Sequence, residues 1–158
     1  MALELGKPGR LLVKTATLDL VVPECAKGIG NVILAPDSPL LIGGVKIQPF
    51  PIYPDDRGYF LEVQRIGQGI AAGFPPATTQ ISAALNYPGT IKAFHYHLNQ
   101  TDFWCPASGM LQVVLADLRA GSPTYGARNT LYVGAMRPWQ ILIPPGVAQR
   151  MTGIRLGT

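Results

Sequence analysis

Apolar residues along this chain fall in short runs of strand length, and each run is cut by Gly, Pro or an Asp/Asn cluster. Runs rich in Val, Ile, Thr and aromatics predict strands at Leu11–Thr17, Asn31–Leu34, Val45–Phe50, Tyr59–Arg65, Thr79–Ala83, Thr90–His97, Met110–Asp117, Asn129–Val133 and Trp139–Ile143. Turn signals separate them: Pro54-Asp55-Asp56-Arg57-Gly58, Tyr87-Pro88-Gly89, Gly121-Ser122-Pro123 and Pro144-Pro145-Gly146. One helical turn is expected near Ile66–Ala72, weakened by its glycines. Many short strands at close spacing predict an all-β sandwich or barrel. A single domain over 1–158 is expected, with an N-terminal strand arm at 1–43 and the barrel at 44–158. The arm can extend the chain's own sheet or pair with that of a partner subunit, since an open strand edge is a liability.

Composition narrows the class. Hydrophobic residues make up 47% and charged residues 14%, which is a globular balance. The 18 glycines and 15 prolines favour turns over long helices. A net charge of +4 comes from scattered Lys and Arg with no basic run, so no nucleic-acid partner is expected. The same balance suits an anionic small ligand. Cys25 and Cys105 are too few for a disulfide framework. No apolar run reaches membrane-span length and the first residues do not read as a signal peptide, so no membrane association and a cytoplasmic location are expected.

The candidate chemistry lies between Gly89 and Gly109. The chain's two histidines, His95 and His97, stand two residues apart in a strand-like run and so share a face. Asp102 follows. Two imidazoles and a carboxylate can hold a divalent transition metal, or hold a base against a substrate. The spacing of Gly89, His95, His97, Asp102 and Gly109 resembles the first cupin motif, with aspartate in place of the usual glutamate. The second motif should bring a further histidine after a Pro-x-Gly turn, but Gln149 stands there after Pro144-Pro145-Gly146. Glutamine is a poor transition-metal ligand, which weighs against the metal reading.

Several further segments, in order, resemble the dTDP-4-dehydrorhamnose 3,5-epimerase family, the RmlC-type sugar-nucleotide epimerases. These are Asp56-Arg57-Gly58-Tyr59-Phe60-Leu61-Glu62, Gln80-Ile81-Ser82 with Gly89-Thr90-Ile91-Lys92-Ala93-Phe94-His95-Tyr96, Asp117-Leu118-Arg119 with Ser122-Pro123-Thr124-Tyr125-Gly126, and Ile143-Pro144-Pro145-Gly146-Val147-Ala148. The resemblance implies a cupin jelly-roll barrel (a double-stranded β-helix), a homodimer and a nucleotide-sugar substrate carrying a 4-keto group. It implies proton transfer at the carbons beside that group, with no metal and no other cofactor. By position, His95 would be the base. Arg57 and Lys92 would meet the diphosphate or substrate, Phe60 and Glu62 the nucleoside, and Gln80 and His97 the nucleotide or sugar. Arg119, Ser122 and Tyr125 would stabilise a turn.

The chain also departs from the family pattern. The family's catalytic lysine falls on Asp102, whose charge would oppose an oxyanion. Gln149 replaces a histidine. The residues beyond it lack clear apolar alternation and reach Thr158 without the family's tyrosine and aspartate, so a truncated or frame-altered C-terminus is expected. Two alternatives therefore stand beside the epimerase: a metal-dependent cupin enzyme using His95, His97 and Asp102, and a sugar-nucleotide-binding protein without activity.

Overall fold

The computed structural model describes residues 12–14, 18–24 and 28–155. They form twelve strands: β1 (Leu12–Lys14), β2 (Asp19–Val21), β3 (Asn31–Val32), β4 (Lys46–Pro49), β5 (Ile52–Asp55), β6 (Gly58–Leu61), β7 (Ile91–His95), β8 (Asp102–Trp104), β9 (Met110–Asp117), β10 (Arg128–Gly134), β11 (Trp139–Ile143) and β12 (Val147–Ile154). The helical turn expected near Ile66–Ala72 is a 3-10 turn at Gly69–Ala71. No helix among the described residues is long and apolar enough to cross a membrane.

Two sheets face each other. One has the order β3-β10-β9-β12-β7 and the other β4-β11-β8, while β1-β2 and β5-β6 form separate pairs. Alternation explains the core between them. On β9, Val113 and Leu115 point inward and are fully buried; on β10 and β11, Leu131, Val133, Ile141 and Ile143 meet them from both sheets. Each such side chain contributes about 1.5–3 kcal/mol through burial. A smaller cluster of Leu20, Leu118 and Ala148, with Ala116 and Tyr96 against it, lies on the opposite face of the larger sheet.

Most predicted strands appear with trimmed ends, and β9 and β11 match their predicted limits. The Leu11–Thr17 expectation lies partly outside the described residues, as does Cys25. Two expectations are corrected. Residues 79–83 form no strand; Thr79 instead closes a turn on the Pro75 carbonyl, and Ile81 is 73% exposed, so nothing pairs with this run. The second is that the predicted strands end at Ile143, whereas β12 follows, lies between β9 and β7 and pairs with both. Its inward positions after Val147 are Gln149, Met151 and Gly153, so the apolar alternation that reveals β9 is absent here. Gly153 is required. A Cβ there would sit 2.6 Å from the Tyr87 carbonyl oxygen, where the 86–90 segment docks on β12.

Parts of the 1–43 arm extend the chain's own barrel. β3 pairs parallel with β10, and Val21 and Ala120 exchange backbone bonds with Leu118 and Asp19 across β2 and the residues after β9. The barrel's start is fixed by Asp117. Its buried carboxylate accepts from Arg119 Nε at 2.8 Å, Ser122 Oγ at 2.6 Å and Thr124 Oγ1 at 2.7 Å. Arg119 then donates to the Gly43 carbonyl at 2.7 Å, and Thr124 Oγ1 accepts from the Gly43 N–H at 2.9 Å. Arg119 and Ser122 therefore stabilise a turn, as the sequence suggested.

Burial pushes the Asp117 carboxyl up, but the bonds from Arg119, Ser122 and Thr124 outweigh it and hold the group below its ordinary value of 3.8. A lowered value means stability that is present above about pH 4 and is lost as pH falls through the folded-state value. Asp117→Ala leaves donors on Arg119, Ser122 and Thr124 without their acceptor and should cost about 3–5 kcal/mol, read as a fall in melting temperature of roughly 10 °C. Asp117→Asn should show a shallower loss of stability on acidification than the wild type, measured by thermal melts across the acid range.

Candidate functional site

The two sheets meet at one end around His95, His97 and Asp102. Residues directly opposite each other on neighbouring strands point to the same face. Gln149 on β12 stands opposite Leu115 on one side and His95 on the other. Leu115 is in the core, so Gln149 and His95 also point inward. From the facing sheet, Asp102 lies opposite Ile143, and Trp104 opposite Ile141. Both of those isoleucines are core residues, so Asp102 and Trp104 point inward as well. The His95 ring lies 6.3 Å from the Trp104 ring and 5.8 Å from that of His97, edge-on to the latter. His95 is exposed even so, because β7 ends its sheet and leaves this side of the hollow open.

His97 lies just beyond β7. Its carbonyl accepts from the Gly146 N–H at 2.9 Å, which ties it to the Pro144-Pro145-Gly146 turn. Its Nε2 is 3.3 Å from Asp102 Oδ2. Gln149 Nε2 donates to the same oxygen, and Gln100 Nε2 donates to Asp102 Oδ1 at 2.7 Å. Asp102 is thus sequestered, with 11% of its side chain exposed against 35% for His97. Gln149 is 1% exposed and its Oε1 has no hydrogen-bond partner. Turning the amide over would place that oxygen against the Asp102 carboxylate, so the charge fixes its orientation.

Ligand atoms of His95, His97 and Asp102 all lie within 4.8 Å of one another, close enough for a divalent transition metal. The donor set fits such an ion poorly, because both oxygens of Asp102 already accept from side-chain amides and His97 Nε2 is turned to the carboxylate.

Lys92 joins this face through an irregularity. A regular strand would place residues 92 and 95 on opposite faces. Between the pairs Gln149–His95 and Met151–Lys92, β7 advances three residues while β12 advances two, as at a β-bulge. Lys92 therefore points to the same side as His95, and its Nζ donates to the Leu85 carbonyl at 3.3 Å.

The other predicted binding residues lie elsewhere on the chain. Arg57 is at the tip of the β5–β6 hairpin, paired with Asp55 at 2.7 Å. That side-chain bond, with the Arg57 N–H, holds the Asp55 carboxyl below its usual range. Phe60 and Glu62 line an open groove of about 630 Å³ with Tyr53, Gln64, Arg65 and Gln140, and this groove shares no lining residue with the histidine cluster. Glu62 is bridged to Arg65 at 2.5 Å, and Gln80 is exposed, donating to Ser82 Oγ at 3.1 Å. The structure thus brings His95, His97, Asp102 and Lys92 to one face and places Arg57, Phe60, Glu62 and Gln80 outside that cluster. Gln149, Gln100 and Trp104 were missed as site residues; Gln149 had a signal, as a polar side chain where the motif demands a functional one. Burial pushes the Cys105 thiol up, a hydrogen bond with Gln140 offsetting part of it, so it is no activated nucleophile.

Comparison with known proteins agrees with this architecture. The family described as dTDP-4-dehydrorhamnose 3,5-epimerase matches residues 39–153. The spore coat polysaccharide biosynthesis protein SpsL of Bacillus subtilis is 44% identical over 108 residues, covering 68% of this chain and 69% of SpsL. A dTDP-4-dehydrorhamnose 3,5-epimerase of Pseudomonas aeruginosa is 32% identical over 101 residues, covering 61% of this chain and 55% of the relative, so the match spans little more than half of that enzyme. Among solved structures, NovW of Streptomyces spheroides, a 4-keto-6-deoxy sugar epimerase, superposes with a TM-score of 0.61 at 24% identity, over 74% of this chain and 61% of its own. That likeness shows the cupin fold. With the family match covering most of the barrel, the chain belongs to the dTDP-4-dehydrorhamnose 3,5-epimerase family.

Proposed function

We propose that this protein epimerises a nucleotide-linked 4-keto-6-deoxy sugar by removing and returning protons beside the keto group. The observation that carries this reading is His95: an imidazole that faces the hollow between the sheets and remains open to solvent on one side. A C–H bond next to a ketone is acidic because its electron pair delocalises onto the carbonyl oxygen as an enolate. An imidazole suits the task, since its ordinary titration range lies near neutral pH. In this reading His95 takes the proton, and Lys92 offers a positive charge on the same face. Relatives support the substrate class: solved family members have been captured with dTDP-quinovose and with TDP. SpsL belongs to spore coat polysaccharide synthesis, which points to a cell-surface polysaccharide as the destination of the product.

The nucleotide end is assigned to the β5–β6 hairpin. Phe60 is 68% exposed beside Tyr53, giving an aromatic surface for a base, and Glu62 offers an acceptor for its N–H. Arg57 supplies a guanidinium fork for the diphosphate. The reading includes a homodimer. Ile91 and Phe94 on the terminal strand β7, with Ile81, Leu85 and Tyr87 beside it in sequence, are each more than half exposed, a concentration of apolar surface that a second chain would cover.

Incubation with a dTDP-linked 4-keto-6-deoxyhexose in heavy water tests the chemistry. The wild type should incorporate deuterium at carbon beside the keto group. His95→Asn should slow incorporation at one or more of the carbons beside the keto group by about 100-fold or more, while dTDP affinity stays within about threefold, as uniform binding is untouched. Binding of the nucleotide sugar with no isotope exchange would favour the inactive binding protein. Stoichiometric metal in protein purified without added metal, lost in His97→Ala, would favour the metal-dependent reading. Phe60→Ala should weaken dTDP binding about tenfold, measured by calorimetry, as loss of an aromatic stacking partner costs about 1–3 kcal/mol. Light scattering should give twice the chain mass of 16.9 kDa.

A further inference from the structure

His95 and His97 differ in what they touch. Asp102 lies within ion-pair distance of His97, and among the described residues no carboxylate lies that close to His95. Nor is Asp102 free to meet a substrate, because its oxygens are taken by Gln100, Gln149 and His97. A carboxylate held in this way acts through its partner. With Nε2 turned to the carboxylate, Nδ1 is the nitrogen left to take a proton. The imidazolium formed when Nδ1 takes a proton then has a counter-charge in place. The His97 carbonyl is fixed independently by the Gly146 N–H, so the ring is held at its backbone and at one nitrogen. The result is a second oriented base, with its ring 5.8 Å from that of His95.

A ketone has two flanking carbons, only two bonds apart, and each can lose a proton to form the enolate. Resting on the epimerase reading above, we propose that the two histidines divide these carbons, His95 serving one and His97 the other, with Asp102 as the positioning residue for His97. In the His97 step the C–H bond breaks and its proton bonds to Nδ1. The electron pair becomes the carbon–carbon double bond of the enolate, and the carbonyl π pair moves to oxygen. The reverse step returns a hydrogen to carbon. In heavy water that hydrogen is a deuteron, because the imidazolium exchanges with solvent before it gives the proton back.

The test is exchange resolved by carbon. A dTDP-4-keto-6-deoxyhexose is incubated in heavy water with the wild type, His95→Asn, His97→Asn, His97→Gln and Asp102→Asn, and loss of each proton signal is followed by NMR. Retained dTDP affinity reports that each variant is folded. Both His97 variants should lose exchange at one carbon by about 100-fold while the other stays within about threefold. His95→Asn should show the mirror pattern. Asp102→Asn should slow the same carbon as the His97 variants, by about tenfold. A merely structural role for His97 or Asp102 would slow both carbons together, and that result overturns the proposal, as does unchanged exchange in both His97 variants. A wild type that exchanges neither carbon overturns the epimerase reading itself, and this inference with it.

Discussion

The carboxylate of Asp102, clamped between the two sheets, is the interaction on which the rest of this site depends. It sits on β8 at the edge of the smaller sheet and is gripped by Gln149 from the centre of the larger one. Hydrogen bonds to a charged group contribute about 1.5–3 kcal/mol each. Holding the Gln149 amide in place leaves its Oε1 buried without a partner, which costs about 1–3 kcal/mol. The gain and the cost are of similar size. What the clamp supplies beyond stability is position. It sets the gap between the sheets where the His95 and Trp104 rings come near each other, and its carboxylate faces Nε2 of His97.

The clamp also accounts for two departures from the family pattern that look like defects one at a time. By the resemblance in motif order, the family's lysine falls at Asp102 and a family histidine at Gln149. In space these two residues hydrogen-bond to each other. Replaced together, they form a donor–acceptor pair that leaves the negative charge satisfied and turned away from the open side. Asp102 is sequestered, and the more exposed groups of the cluster are the imidazoles.

Much of the barrel was legible because its core strands obey simple rules. Met110–Asp117 and Trp139–Ile143 carry β-branched and long apolar side chains at the inward positions, and their limits appear as predicted. Failure came where inward positions serve something other than packing. On β12, Gln149 holds Asp102 and Gly153 makes room for the Tyr87 carbonyl, so a central strand lacks the usual pattern. Thr79–Ala83 has the opposite character, with strand-like composition but no strand beside it to complete the pairing. At the site, the His95–His97 pair was readable from a period of two. The inward turn of Lys92 was not, since a bulge leaves no mark in composition. Nor could local pattern show that Gln149 and Asp102, 47 positions apart, meet.

The D-x-R and S-P-T motif shows why a family signature is not always a site. Asp117, Arg119, Ser122 and Thr124 form a closed network that spends its donors on itself and on Gly43. A fully satisfied network rigidifies the fold and has little left to offer a ligand. The Asp102 cluster is built differently. Its anion is saturated, yet His95 and the Nδ1 side of His97 remain uncommitted next to an opening. Two buried-to-half-buried aspartates on facing sheets thus do different work. One closes the barrel at the start of the domain, and the other joins the two sheets beside the free edge of β7.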